Sequence, residues 1–321
     1  VSALLDARNL GRTYRMRQGL FGRVLDIHAV DGVDLSVAPG ETLGFVGESG
    51  SGKSTTGRMV LGLEPLDAGE VRFEGEPLPP TGSPAWRRQR TRMQMIFQDP
   101  LAALDRRLTI GVQVREPLDI HDIGAREERD ERALSLLSLV GLSPVHAARY
   151  PHELSGGQRQ RAVIARALAT EPRLLVCDEP VSALDVSIQA QVVTLLQKLQ
   201  DNLGIGMLFI SHDLRVVRQI SHRIAVIYLG RIVEEGTAED LFQAPLHPYT
   251  QALVAASPEP GRGKIRRQPL QGDPPNPADR PSGCAFHPRC PVAEARCRDS
   301  LPSLTPVDGT RRVACHLVSR Q

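Results

Sequence analysis

With 321 residues, a formal net charge of +2 and a pI near 8.4, the chain has room for one large domain and a smaller one, and its near-balanced charge gives no sign of a nucleic-acid binder. No apolar stretch reaches membrane-spanning length and the N-terminus lacks a basic-then-apolar signal profile, so a soluble, cytosolic protein is expected, with any membrane role running through partners. Four of the five cysteines lie beyond residue 280, too uneven for a disulfide scaffold.

Residues 1–46 read as short strands and turns. Leu4 to Leu10 carries a turn signal at its end, Arg15 to Leu25 is expected as an exposed hairpin or loop, and Ala29 to Val37 alternates as a half-buried strand does. Tyr14 is a candidate to stack on an adenine, against the plainer reading of a half-buried strand aromatic. The apolar run Thr42 to Val46 then leads, as a buried strand would, into Gly47-Glu48-Ser49-Gly50-Ser51-Gly52-Lys53-Ser54-Thr55, which fits the phosphate-binding loop G-x-x-x-x-G-K-[ST]. A triphosphate needs several backbone N–H groups aimed at it at once, and side chains would block that approach, hence the glycines. Lys53 supplies a point charge for the β- and γ-phosphates, and the Ser54 hydroxyl is a candidate ligand for Mg²⁺. A proline-free segment from Ser54 to Leu61 follows, a helix whose N-terminus would face the phosphates.

Gly69 to Gly75 reads as a strand and Arg87 to Arg92 as a solvated basic helix face. Met95-Ile96-Phe97 reads as a buried strand that stops at Gln98-Asp99-Pro100, placing Gln98 at a strand end, where open α/β sheets hold ligands. Leu101 to Arg149 turns helical, with Leu134, Leu137 and Val140 on one side of a helix over 125–140. Leu154-Ser155-Gly156-Gly157-Gln158 opens another helix with Ser155 as N-cap, and its exposed N–H groups make a second anion-binding candidate. Leu174 to Cys177 runs as a buried strand into Asp178, suited to a Mg²⁺ shell, and Glu179, suited to orient and deprotonate a water. Ser182-Ala183-Leu184-Asp185 opens a helix with Ile188, Val192, Leu195, Leu196, Leu199 and Leu203 on one face and Gly204 at its end. Gly206 to Ile210 is a further buried strand that delivers His212, a candidate to touch the γ-phosphate. A hairpin around Gly230 and a capped helix start at Thr237 follow.

In this order the pieces resemble the ATP-binding cassette (ABC) family of ATPases, over roughly residues 1–255. Leu154 to Gln158 matches the family signature letter for letter. Gly47 to Thr55, Gln98, Asp178, Glu179, Ser182–Asp185 and His212 fall where the family carries its Walker A, Q-loop, Walker B, catalytic glutamate, D-loop and switch histidine. The resemblance implies an α/β P-loop fold with an N-terminal antiparallel β subdomain, a helical insertion over about 99–165, and a small cysteine-containing C-terminal extension over 256–321. It further implies ATP with Mg²⁺ held by Ser54, Gln98 and Asp178, and a head-to-tail dimer in which the Ser155–Gln158 segment and Asp185 of one subunit face ATP on the other.

Pro245-Leu246-His247-Pro248-Tyr249-Thr250, Phe286-His287-Pro288-Arg289-Cys290-Pro291 and Val313-Ala314-Cys315-His316 are similar to the C-terminal extension of ATP-binding subunits of bacterial oligopeptide, dipeptide and nickel importers. Val181 to Gln191 is similar to the second of the two ATPase subunits such importers often pair. That resemblance implies a second ATPase subunit, two membrane permeases, an extracytoplasmic solute-binding protein, a place on the cytoplasmic face of the inner membrane, and no nucleic-acid partner. The competing classes are a non-transport ABC ATPase acting on nucleic acid or ribosomes and a regulatory ATP-binding module.

Pro258 to Pro281 reads as a linker or extended wrap. Beyond it Cys284, Cys290, Cys297 and Cys315, separated by five, six and seventeen residues, lack the C-x₂-C knuckles of most structural zinc sites. Iron–sulfur ligation tolerates such gaps, and some of the importers this chain resembles carry a [4Fe–4S] cluster here, so the resemblance makes that cluster the leading expectation, ahead of free thiols or zinc. His287 and His316 are candidate zinc ligands, with a place outside the ligand shell the preferred reading.

Overall fold

The computed structural model describes residues 3–17, 22, 24–256 and 272–318. Most of the expected 258–281 linker therefore lies outside the described residues.

Two sheets organise the chain. The first is antiparallel, in the order β2 (Val24–Val37), β1 (Leu5–Arg17), β4 (Ala68–Phe73), β5 (Glu76–Pro77). The turn signal near Asn9 is not a turn. β1 continues to Arg17, and Asn9, at φ 49, marks a register shift against β2, since asparagine tolerates the left-handed region that a bulge requires. Arg15–Arg17 pair with Asp26, Leu25 and Val24, so the two ends of the expected hairpin or loop are paired strand, and its middle, 18–21 and 23, lies outside the described residues.

The second sheet has eight strands. Its parallel part runs β6 (Met93–Ile96), β7 (Leu174–Asp178), β8 (Gly206–Ser211), β3 (Thr42–Val46), β9 (Arg223–Tyr228). It then turns antiparallel through β10 (Arg231–Thr237) to β12 (Arg312–Val313) and β11 (Thr305–Pro306). The C-terminal extension thus adds strands to the sheet's own edge, and Ala314 donates to the Val233 carbonyl at 2.8 Å.

The strands read as continuous apolar runs because both faces are buried. Leu43, Phe45, Val176, Leu208, Ile210 and Ala225 share a core with Met59 and Val60 of the helix Lys53–Val60 and with Leu10, Val33 and Leu35 of the antiparallel sheet. Their alternates Val46, Leu175, Cys177, Phe209 and Val226 face a second core, formed with the helices Ile110–Ile120, Arg129–Leu139, Gly156–Leu168 and Val186–Leu203 and with Phe286 of the extension.

Some helix details depart from the sequence expectation. The helix expected over 125–140 is a 3₁₀ turn, Arg126–Glu128, followed by Arg129–Leu139. Leu137 and Val140 are buried but Leu134 is exposed, while Arg129 turns inward to Asp119 (3.2 Å) and Asp122 (2.5 Å). In the helix Val186–Leu203 the buried stripe runs through Val192, Val193, Leu196 and Leu199, leaving Leu203 exposed as the last residue before the left-handed cap at Gly204. The 87–92 cluster is not wholly solvated, because Arg90 lies over the Trp86 ring and Arg92 over that of Phe73.

Candidate functional site

Adjacent strands β6, β7, β8 and β3 end along one edge of the sheet, and those ends carry Gln98, Asp178–Glu179, His212 and the loop 47–52. Carboxyl ends of parallel strands are where such sheets bind ligands. The loop is pressed between neighbours. A Cβ on Gly47 would stand 2.2 Å from the Ile227 carbonyl oxygen, and one on Gly52, at φ 101, would stand 2.1 Å from that of Ala29. Gly50, at φ 76, has nothing within 4 Å of its Cβ position. Lys53 opens the helix and folds back onto the loop, its Nζ donating to the carbonyls of Gly47 (2.8 Å) and Glu48 (2.9 Å). Burial lowers the Lys53 pKa, and the nearby charges of Glu179, Asp178 and Glu48 oppose that shift.

Behind the loop, Ser54 Oγ donates to Asp178 Oδ1 at 2.7 Å. Asp178 is 2 % exposed, and burial raises its pKa while the Ser54 bond and Arg58 lower it. Glu179 stands in the left-handed region at φ 46, fixed by its N–H to the Ile210 carbonyl (2.9 Å) and by the Ser182 N–H (3.2 Å) and hydroxyl (3.1 Å) on its own carbonyl. A non-glycine residue held there by three backbone contacts is overdetermined, as strained site residues are. Its Oε2 accepts from Gln98 Nε2 at 3.1 Å and lies 3.1 Å from His212 Nδ1. Strand ends 81 and 33 residues away in sequence thus converge on one carboxylate oxygen.

A cavity of about 620 Å³ connects these groups, lined by Gly47, Glu48, Ser49, Gly50, Gly52, Lys53, Ser54, Thr55, Gln98, Glu179 and His212. Ala29, Leu214 and Leu253 complete its wall, and residue-by-residue motif reading did not single them out. Leu253 lies on the helix Pro248–Ala256, so the helix that leads into the extension reaches the cavity. Ser51 does not line it; its carbonyl accepts the Gly230 N–H at 2.9 Å. Tyr14 is half-buried, outside the lining, with the Arg12 guanidinium 5.0 Å from its ring centre.

Ser155, Gly156, Gly157, Gln158 and Asp185 also stand outside the lining. Ser155 caps the helix Gly156–Leu168 in a reciprocal box, accepting from the Gln158 N–H (3.3 Å) while its own N–H donates to Gln158 Oε1 (3.0 Å). The glycines also serve packing. A Cβ on Gly157 would stand 2.6 Å from Ile188 Cγ2, and one on Gly156 3.3 Å from Leu184 Cδ2, which seats this helix against the one Asp185 caps.

In the extension, Cys297 and Cys315 are buried and Cys284 and Cys290 half-buried, all in the reduced thiol form. Burial pushes the Cys284 thiol up to about 11, and Cys297, Cys315 and Cys290 are close enough to add to that shift. The four thiols share one module, yet among the described residues no group of three or more His, Cys, Asp or Glu side chains has the geometry to hold a metal ion. The structure therefore does not itself support the expected cluster. Among the described residues no helix is long and apolar enough to cross a membrane.

The family profile described as "ABC transporter" matches residues 30–182, and that described as "Oligopeptide/dipeptide transporter, C-terminal region" matches residues 233–297. The chain is 50 % identical over 317 residues to a probable peptide ABC transporter ATP-binding protein, y4tS, of Sinorhizobium fredii, covering 98 % of this chain and 90 % of that protein. It is 47 % identical over 321 residues to the oligopeptide transport ATP-binding protein AppF of Bacillus subtilis, covering 98 % of each. Among solved structures, the dimeric post-hydrolysis state of the ATP-binding cassette MJ0796 bound to ADP and Pi superposes with a TM-score of 0.65 at 32 % identity, covering 73 % of this chain and 98 % of that one.

Proposed function

The chain belongs to the ABC transporter family of ATP-binding proteins, and from that premise we propose that it is the ATP-hydrolysing subunit of a peptide-type importer. The observation that carries the reading is the convergence of Gln98 and His212 on Glu179, across the cavity wall from Lys53 and beside the Ser54–Asp178 pair. In this reading the loop 47–55 cradles the triphosphate, with Lys53 leaving its loop carbonyls for the phosphates. Ser54 and Asp178, two hard oxygen donors side by side, suit Mg²⁺, with Gln98 beside them; the ion when bound neutralises phosphate charge. Glu179 takes the proton of the attacking water, and Gln98 and His212 hold its carboxylate in place until it does.

Ser155, Gly156, Gly157, Gln158 and Asp185, outside this chain's own cavity, serve the site of a second ATPase subunit stacked head to tail, and that subunit returns the same segment. Residues 1–255 act as the ATP-binding domain and 256–321 as its extension. Two permeases and an extracytoplasmic solute-binding protein complete the importer, with this subunit on the cytoplasmic face of the inner membrane. The relatives carry peptide-import names, so the alternative of an ATPase acting on nucleic acid or ribosomes is set aside. Reconstitution with its permeases and a second ATPase subunit should give ATP hydrolysis that rises when peptide-loaded binding protein is added. Binding of ATP without turnover in that assembly overturns the reading.

The finer part of the proposal concerns Cys284, Cys290, Cys297 and Cys315 as holders of a [4Fe–4S] cluster. Its support is donor chemistry, four thiols in one module, and no step of hydrolysis runs through it. A brown anaerobic preparation with about four irons per chain supports it. Colourless protein with stoichiometric zinc sinks it.

A further inference from the structure

Glu48, the second residue of the phosphate loop, is gripped by Arg289 of the C-terminal extension and by Tyr249 of the helix Pro248–Ala256 that leads into it. Its carboxylate takes two parallel bonds from Arg289, Nη1 to Oε2 at 2.7 Å and Nη2 to Oε1 at 3.0 Å. Its N–H donates to Tyr249 Oη at 2.9 Å, and its carbonyl accepts from Lys53 Nζ at 2.9 Å. The same carbonyl accepts the Ser51 N–H at 3.2 Å, so every polar group of this residue is engaged, and two of its four partners, Tyr249 and Arg289, stand 201 and 241 residues away.

The grip is rigid. The Arg289 side chain is 5 % exposed, lies over the Tyr228 ring and donates to Tyr228 Oη at 3.3 Å. Tyr228, Tyr249 and Phe286 pack in tilted and edge-to-face contacts with centroids 4.7 to 5.4 Å apart, which fixes the two clamping side chains against β9. A bidentate guanidinium–carboxylate pair neutralises charge and also sets direction, which a lysine at this place does only in part. Charge matters here because Glu48 lines the cavity that must receive a polyanion. Left unpaired, its carboxylate opposes the ligand that the loop exists to hold.

We propose that Arg289 is a positioning residue for nucleotide binding, acting through Glu48 by neutralising its carboxylate in the phosphate loop, so that the extension sets ATP affinity. The proposal rests on the ATP-binding reading above. It is tested on the full-length chain by titration with a fluorescent ATP analogue, with urea unfolding run alongside to show that each variant is folded. Arg289→Ala should weaken binding about tenfold, the effect of one unpaired charge near a polyanion in a partly solvated site, and Arg289→Lys should fall between. Adding Glu48→Gln to Arg289→Ala should return affinity to within about threefold of wild type, a rescue that lost packing alone does not give. Glu48→Gln alone should bind at least as tightly as wild type, which keeps the proposal decidable if the Arg289 variants do not fold. Unchanged affinity in Arg289→Ala, failure of the double variant to recover, or weaker binding by Glu48→Gln alone overturns it. Absence of binding by the wild-type chain instead overturns the ATP-binding reading itself.

Discussion

Two glycines of the phosphate loop make a matched pair for testing why the loop is spelled as it is. Gly52 and Gly50 both have positive φ, 101 and 76, but only Gly52 is walled in, with a Cβ position 2.1 Å from the Ala29 carbonyl oxygen. That neighbour is backbone and has no rotamer to change. Gly52→Ala therefore combines backbone strain of about 1–2 kcal/mol with overpacking of about 1–3 kcal/mol, a loss of about 2–5 kcal/mol. Gly50→Ala carries the strain alone, about 1–2 kcal/mol, because nothing lies within 4 Å of its Cβ position. Urea unfolding of the full chain without nucleotide reads both losses directly. A Gly52→Ala loss that exceeds the Gly50→Ala loss shows that the glycine at 52 is demanded by chain packing before any phosphate arrives. Equal losses, or a Gly52→Ala loss below about 1 kcal/mol, refute the reasoning.

Asp178→Asn should stabilise the nucleotide-free protein by about 1 kcal/mol at neutral pH while abolishing Mg²⁺-dependent turnover, since function here costs stability. Burial raises the Asp178 pKa, so the native state holds its proton to higher pH than the unfolded chain does, and the penalty for ionising it appears as pH rises through the raised value. The advantage of Asn must then shrink in acid; an advantage that grows as pH falls contradicts the account. Glu234, fully buried, accepts the N–H groups of Leu246 (2.8 Å) and His247 (2.9 Å) and so ties the segment that leads into the extension to β10. Glu234→Ala leaves both donors without that partner, at about 2–4 kcal/mol, and should open the segment around 245–256 to limited proteolysis. Wild-type protection after that change argues against the tie.

The catalytic edge of the sheet was legible because its chemistry sits at the ends of buried runs. Leu174–Cys177 into Asp178–Glu179, and Met207–Ile210 into His212, announce strand ends by composition alone. What brings them together is strand order, with β3 between β8 and β9, and parallel pairing leaves no local trace in a sequence. The same limit hid the grip on Glu48. Arg289 falls within Phe286–Pro291, one of the stretches that carry the family resemblance, but a partner 241 residues away has no spacing to read. Local patterns misled where charge and burial traded places. Arg129 sits in a run of alternating charges yet is buried, and Leu203 continues an apolar stripe but lies exposed at the helix end. Gly157 shows a third case, in which a residue chosen for its N–H is also needed where Ile188 leaves no room for a Cβ.

The central claim is that Glu179, held by Gln98 and His212, performs hydrolysis rather than binding. Glu179→Gln keeps the shape and one oxygen for the Gln98 amide but cannot take a proton. Phosphate release by the assembled transporter carrying this change, with the partner's site inactivated in both samples, is the direct measurement. The account predicts a fall of about 10²–10⁴-fold with ATP still bound at near wild-type affinity. Near wild-type phosphate release in that assembly contradicts it.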